Sequence, residues 1–361
     1  MRKYYLDNIR WATVLLVVFY HVLFMYNSIT TDGVVGPVTQ FHGQDAVQYL
    51  LYPWFMVILF IVSGMCANYY LQTHSSKEFF RARTRKLLVP STIGLFVLGW
   101  LQGYFNMEFS GAFDMIPDEV PGVIQYLIMV VSGTGVLWTI QVMWVCSLVL
   151  LLVRKLEKDR LLALGEKANL PVLLVLGIVV WGSAQILNTP VIAVYRFGIY
   201  IFSFLLGYYV FSQEKVTDRL AAGSIPLILA AVGFGILYTY FYYGTNYAVQ
   251  PAVNAPLAIA YGWLACLAIL GGMKRWGNQT GAFAAFMTKK SFGLYVFHYL
   301  ALSAAAHVLV VCGHMTGIFV YLISAVAAFS GGLLINEIIC RIPVIRWCVL
   351  GIKKEKKNVQ G

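Results

Sequence analysis

The sequence predicts an all-α polytopic membrane protein with about ten transmembrane helices and both termini in the cytoplasm. Three observations predict it. Hydrophobic residues fill 60% of the 361 positions and charged residues only 11%, too few to clothe a soluble fold of this length. Apolar runs long enough to cross a bilayer recur from end to end, and mean hydropathy is +0.75. Lysine and arginine are confined to alternate connections. Backbone amides in lipid are satisfied only within helices or closed barrels. The runs lack the two-residue alternation of barrel strands and exceed their length, so helices are expected.

In chain order the spans fall near 9–28, 47–72, 87–105, 136–153, 170–188, 196–212, 225–243, 256–273, 291–311 and 316–338. The opening segment MRKYYLDNIR is basic and precedes an apolar run, as in a signal peptide. No small-residue cleavage site follows, so it reads as a retained first span. Residues 123–131, VIQYLIMVV, are too short to cross and are expected to be interfacial or re-entrant.

Basic segments such as SSKEFFRARTRK, RKLEKDRLLALGEK and KRWGNQTGAFAAFMTKK alternate with connections almost free of cations. Of 26 Lys and Arg, only Arg196 falls on the other side. An even number of spans then places every basic connection in the cytoplasm. The net charge of +11 is therefore topogenic, with attraction of the KKEKK tail to anionic lipid, and implies no nucleic acid. We expect one membrane domain over 1–361, ending in a basic cytoplasmic tail at 339–361, in the cell (plasma) membrane. The outer connection 106–122 holds four acids and no base. Six cysteines stand singly, without zinc spacing or a disulfide framework, and no metal site is expected.

Chemistry concentrates at a few positions. Arg10 and His21, eleven residues apart, share one helix face and are separated by roughly 16 Å along the axis. Arg10 sits at the cytoplasmic mouth, where Asp7 can pair with it. His21 lies near mid-membrane, where an ionisable group is costly and marks either function or an interhelical hydrogen bond. Ser63 and Gly64 in span two suit close helix packing, with Ser63 a candidate for a cavity wall. Arg81, Arg83, Arg85 and Lys86 crowd one helix end ahead of Pro90. Arg83 and Lys86 share a face, and a cluster this dense suits phosphate groups as well as topogenic charge.

Trp138 and Gln141 are close on one face near the outer boundary. Ser291 is a candidate cap for span nine. Beyond it Tyr295 and His298 share a face, with His298 about 10 Å in from the cytoplasmic side. Glu337 can pair with Arg341 at i, i+4. His42, His74, His307 and His314 lie in loops or near a span end and carry no motif. The aromatic run YTYFYYGTNY at 238–247 fits an ordinary membrane interface first, with rings that could stack on a sugar as the lesser alternative.

Taken together these residues resemble the membrane-bound acyltransferase 3 family over nearly the whole chain. LDNIR followed by His21 is similar to its opening signature, and FIVSG to its second-helix Ser-Gly. RARTRKLLVP resembles its paired basic motif before a proline, with Lys86 where arginine is usual. FLLGYYVF and SFGLYVFH are similar to its later helices. One departure is Val136, where the family often places a histidine before Leu-Trp.

The resemblance implies ten transmembrane helices and transfer of an acyl group, usually acetyl, from cytoplasmic acyl-CoA to an acceptor hydroxyl, often of a carbohydrate, at or across the membrane. Acyl-CoA is then the donor co-substrate. On that reading His21, Arg10 and Asp7 are catalytic candidates, with Arg10 organising the cytoplasmic mouth, and Arg83, Arg85, Lys86 and Ser63 meet the donor. Trp138, Gln141, Tyr295 and His298 meet the substrate. A competing class is a proton-linked small-molecule transporter using His21, His298 and Arg196. No inverted repeat or pair of broken helices supports it.

Overall fold

The structure, a computed structural model, describes residues 2–30, 33–189 and 193–353; positions 354–361 of the expected basic tail lie outside the described residues. The apolar helices in order are α1 (Tyr4–Met25), α2 (Gly43–Leu71), α3 (Ser76–Phe109), α4 (Gly122–Ser132), α5 (Gly135–Glu157), α6 (Leu170–Ala184), α7 (Phe197–Phe211), α8 (Ser224–Tyr242), α9 (Pro256–Trp276), α10 (Ala282–Cys312) and α11 (Ile318–Arg341). Eight are long and apolar enough to cross a membrane, and α4, α6 and α7 are shorter. Each expected span has its helix. The segment expected to be too short is α4, with 11 residues. The 15 residues of α6 rise only about 22 Å, against a hydrocarbon core of about 30 Å.

Helix α1 packs between α2 and α10, α2 also meets α7 and α9, and α11 lies on α10. The seam of α2 with α7 explains the small residues near Ser63. A Cβ on Gly64 would stand 2.0 Å from the Phe204 carbonyl oxygen, and one on Gly207 would stand 2.1 Å from the Ile61 oxygen. Each helix thus gives up a side chain so that the other's backbone can approach. Gly64→Val is expected to cost about 3 kcal/mol. It should lower the thermal-unfolding midpoint, while Gly182→Ala, where nothing lies within 4 Å of the added Cβ, leaves it unchanged.

Sequence also sets the entry to α3. Ser75 and Glu78 form a reciprocal capping box: the Ser75 hydroxyl accepts the Glu78 amide, and the Glu78 carboxylate accepts the Ser75 amide at 2.8 Å. Farther in, Pro90 has no N–H for the Lys86 carbonyl. The helix answers with a wide π turn over Thr84–Leu88.

Both described chain ends lie at the end of the bundle that carries the basic connections. Asn8 donates to the carbonyls of Gly277 (2.7 Å) and Gln279 (2.8 Å). Gly351, left-handed at φ 63, packs against the Arg85 carbonyl. Many cations at this end are paired: Lys274 with Glu214 and Asp218 at 2.7 and 2.6 Å, and Arg154 with Asp159 at 2.6 Å. Glu337 pairs with Lys290 at 2.6 Å and only distantly, at 3.9 Å, with the expected Arg341.

The hydrogen bond from Arg154 holds the Asp159 carboxyl below the usual carboxylate range. A depressed folded value means the pair stabilises the fold above the ordinary aspartate value and is lost as pH falls through the folded one. Asp159→Asn should therefore flatten that acid-side loss, read as the unfolding midpoint between about pH 5 and pH 2.

Candidate active site

Two cavities meet inside the bundle. The first opens toward the basic end and encloses about 380 Å³. Arg10, Ser63, Arg83, Lys86, Ser291 and Phe292 are on its wall, with Thr139 and Tyr295 at its inner limit. The second, about 440 Å³, runs from Thr139 and Tyr295 past His21 to loop residues Gly33, Ser110, Val194 and Ala248 at the opposite end. Its wall is aromatic, including Tyr20, Tyr52, Phe55, Trp138 and Tyr299. Tyr295 and Thr139 line both spaces and so form the partition.

The basic cavity is built by the first turns of α3. Arg83 reaches across to α2, donating to the Ser63 hydroxyl at 3.2 Å and to its carbonyl at 3.3 Å, and its guanidinium lies 5.1 Å from the Phe79 ring. Three residues on, Lys86 stands over Phe292 of α10 at 5.5 Å. Neither has a carboxylate partner among the described residues, and Arg10 meets Asp7 only at 3.8 Å. Three cations stand around an apolar pocket, two of them without a carboxylate partner among the described residues, a chemistry suited to an anion of extended charge. Arg85 belongs elsewhere: its carbonyl packs on Gly351 and its side chain is not on the cavity wall.

His21 and His298 are in direct contact. The Nε2 of His298 lies 3.2 Å from the Nδ1 of His21, and the rings are 5.1 Å apart. This corrects the sequence-based depth of His298 and the expected cap at Ser291. Helix α10 starts at Ala282, about two and a half turns before Ser291, because apolar Ala282–Phe286 and Met287 continue the helical pattern through the basic pair Lys289–Lys290. Ser291 is mid-helix on the basic-cavity wall, and His298 is carried about 24 Å along α10. His298 is fully buried and stands behind His21, not on the cavity wall.

The other candidates divide similarly. Trp138 lines the aromatic cavity, 5.4 Å from Tyr200. Gln141, although on the same turn, faces away: its amide donates to the Ser91 carbonyl at 2.8 Å and its oxygen accepts from Tyr195. Tyr295 donates to the Val136 carbonyl at the partition. Asp7 pairs with Arg2 at 2.7 Å and lies at the basic end, about 21 Å along α1 from His21. Arg196, the intramembrane cation of the transporter reading, is buried and donates to the Val253 carbonyl (3.2 Å) and the Asn254 side chain (2.7 Å).

Sequence reasoning passed over Tyr20, Tyr52, Tyr299 and Thr139. Aromatic and small polar residues abound in such helices, and only the packing of α1, α2, α5 and α10 brings these four together.

The fold and the paired cavities define a multi-pass membrane protein with an ionisable site enclosed within its helices. Residues 3–337 match the family model for the acyltransferase 3 domain, described as an acyltransferase domain. That match takes in nearly the whole chain: the protein belongs to the acyltransferase 3 family and is an acyltransferase. No curated protein and no solved structure matches it.

Proposed function

We propose that the protein is a plasma-membrane O-acyltransferase that takes an acyl group, acetyl above all, from cytoplasmic acyl-CoA and places it on a hydroxyl of a carbohydrate or other small acceptor. The observation that carries this reading is the placing of His21 on the far side of one shared partition from a basic cavity. Arg10, Arg83 and Lys86 suit the phosphates of CoA, and the apolar wall suits the pantetheine arm. The thioester then arrives at Tyr295 and Thr139, and the acceptor enters through the aromatic cavity from the opposite end. The positive-inside rule supports a cytoplasmic basic end, with both termini on that side.

In the transfer, His21 Nε2 removes the acceptor proton as the hydroxyl oxygen attacks the thioester carbonyl carbon. The tetrahedral intermediate collapses with cleavage of the C–S bond, and the CoA thiolate leaves with the proton returned by His21. At the partition the Thr139 hydroxyl, which meets the Met56 sulfur at 3.6 Å, turns to donate to the oxyanion, while the Tyr295 hydrogen stays on the Val136 carbonyl.

The test is release of free thiol from acetyl-CoA by protein purified in detergent, together with radiolabel transfer to added glycan fractions. Thiol release that depends on the protein supports the reading. Solute counterflow in vesicles without any thioester cleavage would overturn it in favour of transport.

A further inference from the structure

The geometry points to His298 as a positioning residue that fixes the tautomer and orientation of His21. The inference rests on the reading of His21 as general base. It extends that reading to a group that touches neither cavity.

Hydrogen-bond partners fix the tautomers of both rings. His298 Nδ1 faces two backbone carbonyls of its own helix, Tyr295 at 2.8 Å and Leu294 at 3.2 Å. A carbonyl only accepts, so this nitrogen carries the hydrogen, and in a neutral ring Nε2 is left with a lone pair. That lone pair meets His21 Nδ1 at 3.2 Å. His21 Nδ1 faces a second acceptor, the Val17 carbonyl, at 2.8 Å. Two acceptors converge on Nδ1, so it is the donor, and the lone pair of His21 is confined to Nε2. That is the nitrogen a general base needs.

No other arrangement satisfies all four contacts. A hydrogen on His298 Nε2 in a neutral ring would set its Nδ1 lone pair against two carbonyl oxygens. A lone pair on His21 Nδ1 would oppose the Val17 oxygen in the same way. The α10 backbone thus sets His298, and His298 with Val17 sets His21. When the ring takes the acceptor proton, its Nδ1–H already has two acceptors facing it, so positive charge develops without reorganisation. Buried position is consistent with this duty: His298 has no exposed surface and makes no contact with either cavity.

The experiment is a double-mutant cycle on thioester turnover, using purified full-length protein with acetyl-CoA as the probe. His298→Leu removes the acceptor facing His21, and His298→Gln restores one through its amide oxygen. Thermal unfolding of each variant is followed alongside. His298→Leu is expected to lower kcat about 100-fold with KM for acetyl-CoA within about threefold, and His298→Gln to recover at least about tenfold of that loss. In a His21→Ala background, His298→Leu is expected to cause no further loss. An equal fold-loss in both backgrounds, or full activity in His298→Leu, would overturn the inference while leaving His21 as base. Activity retained by His21→Ala itself would overturn both.

Discussion

Replacing His21 with alanine is expected to lower thioester turnover by at least about 1,000-fold while acetyl-CoA binding stays within about twofold. The asymmetry follows from position. His21 lines the aromatic cavity and makes no part of the basic one, whereas the donor's phosphates are assigned to Arg10, Arg83 and Lys86. Loss of the ring removes the only imidazole on the wall of that cavity among the described residues. It does not remove a cation from the donor's end. Free-thiol release under single-turnover conditions, with equilibrium binding of acetyl-CoA on the same sample, reads both quantities. A parallel fall in binding and turnover would instead make His21 a residue on which the cavity's shape depends.

The complementary expectation concerns the basic cavity. Arg83→Ala combined with Lys86→Ala should weaken CoA binding by at least about 100-fold, because charge-assisted contacts to phosphate are each worth roughly 1.5–3 kcal/mol. Turnover at saturating acetyl-CoA should change far less. Lys86→Ala is the cleaner single change, since Arg83 also ties α3 to Ser63 of α2 and its loss disturbs that junction. Arg83→Lys keeps charge but not the forked reach, so it separates the two contributions. Arg85→Ala serves as the control. It removes an equal charge from the neighbouring face, outside the cavity, and should leave affinity within about threefold once salt is near 0.15 M. Binding measured by isothermal titration across the set, repeated with dephospho-CoA, would locate which phosphate each cation meets.

Much of the fold was legible because lipid simplifies the problem. Every expected span has a helix near its place, since hydropathy and length dominate the choice of structure in a bilayer. The basic cluster was legible too, as was its periodicity: Arg83 and Lys86 do share a wall. What periodicity could not decide was where an element begins. Moving the start of α10 from 291 to 282 shifted His298 from a shallow position to contact with His21. Helix faces were also ambiguous over a single turn. Trp138 and Gln141 are neighbours on α5, yet one meets the aromatic cavity and the other the Ser91 carbonyl of α3. Which side of a buried helix faces a space depends on partners far away in sequence, and no local pattern records that. The π turn at Thr84–Leu88 is a further case. Pro90 announces a disturbance, but not that the turn would leave Arg85 on the Gly351 side.

In the proposed reaction, donor and acceptor approach the partition at Tyr295 and Thr139 from opposite ends of the bundle. The most direct measurement uses sealed proteoliposomes in which protease access to a C-terminal tag reports orientation. Acetyl-CoA, which does not cross the bilayer, is supplied on one face at a time and free thiol is measured on both. The account predicts thiol release only from the face that carries the C-terminus and the basic connections. Release driven from the opposite face would contradict it, because the phosphates of CoA would then have to be met by the aromatic cavity.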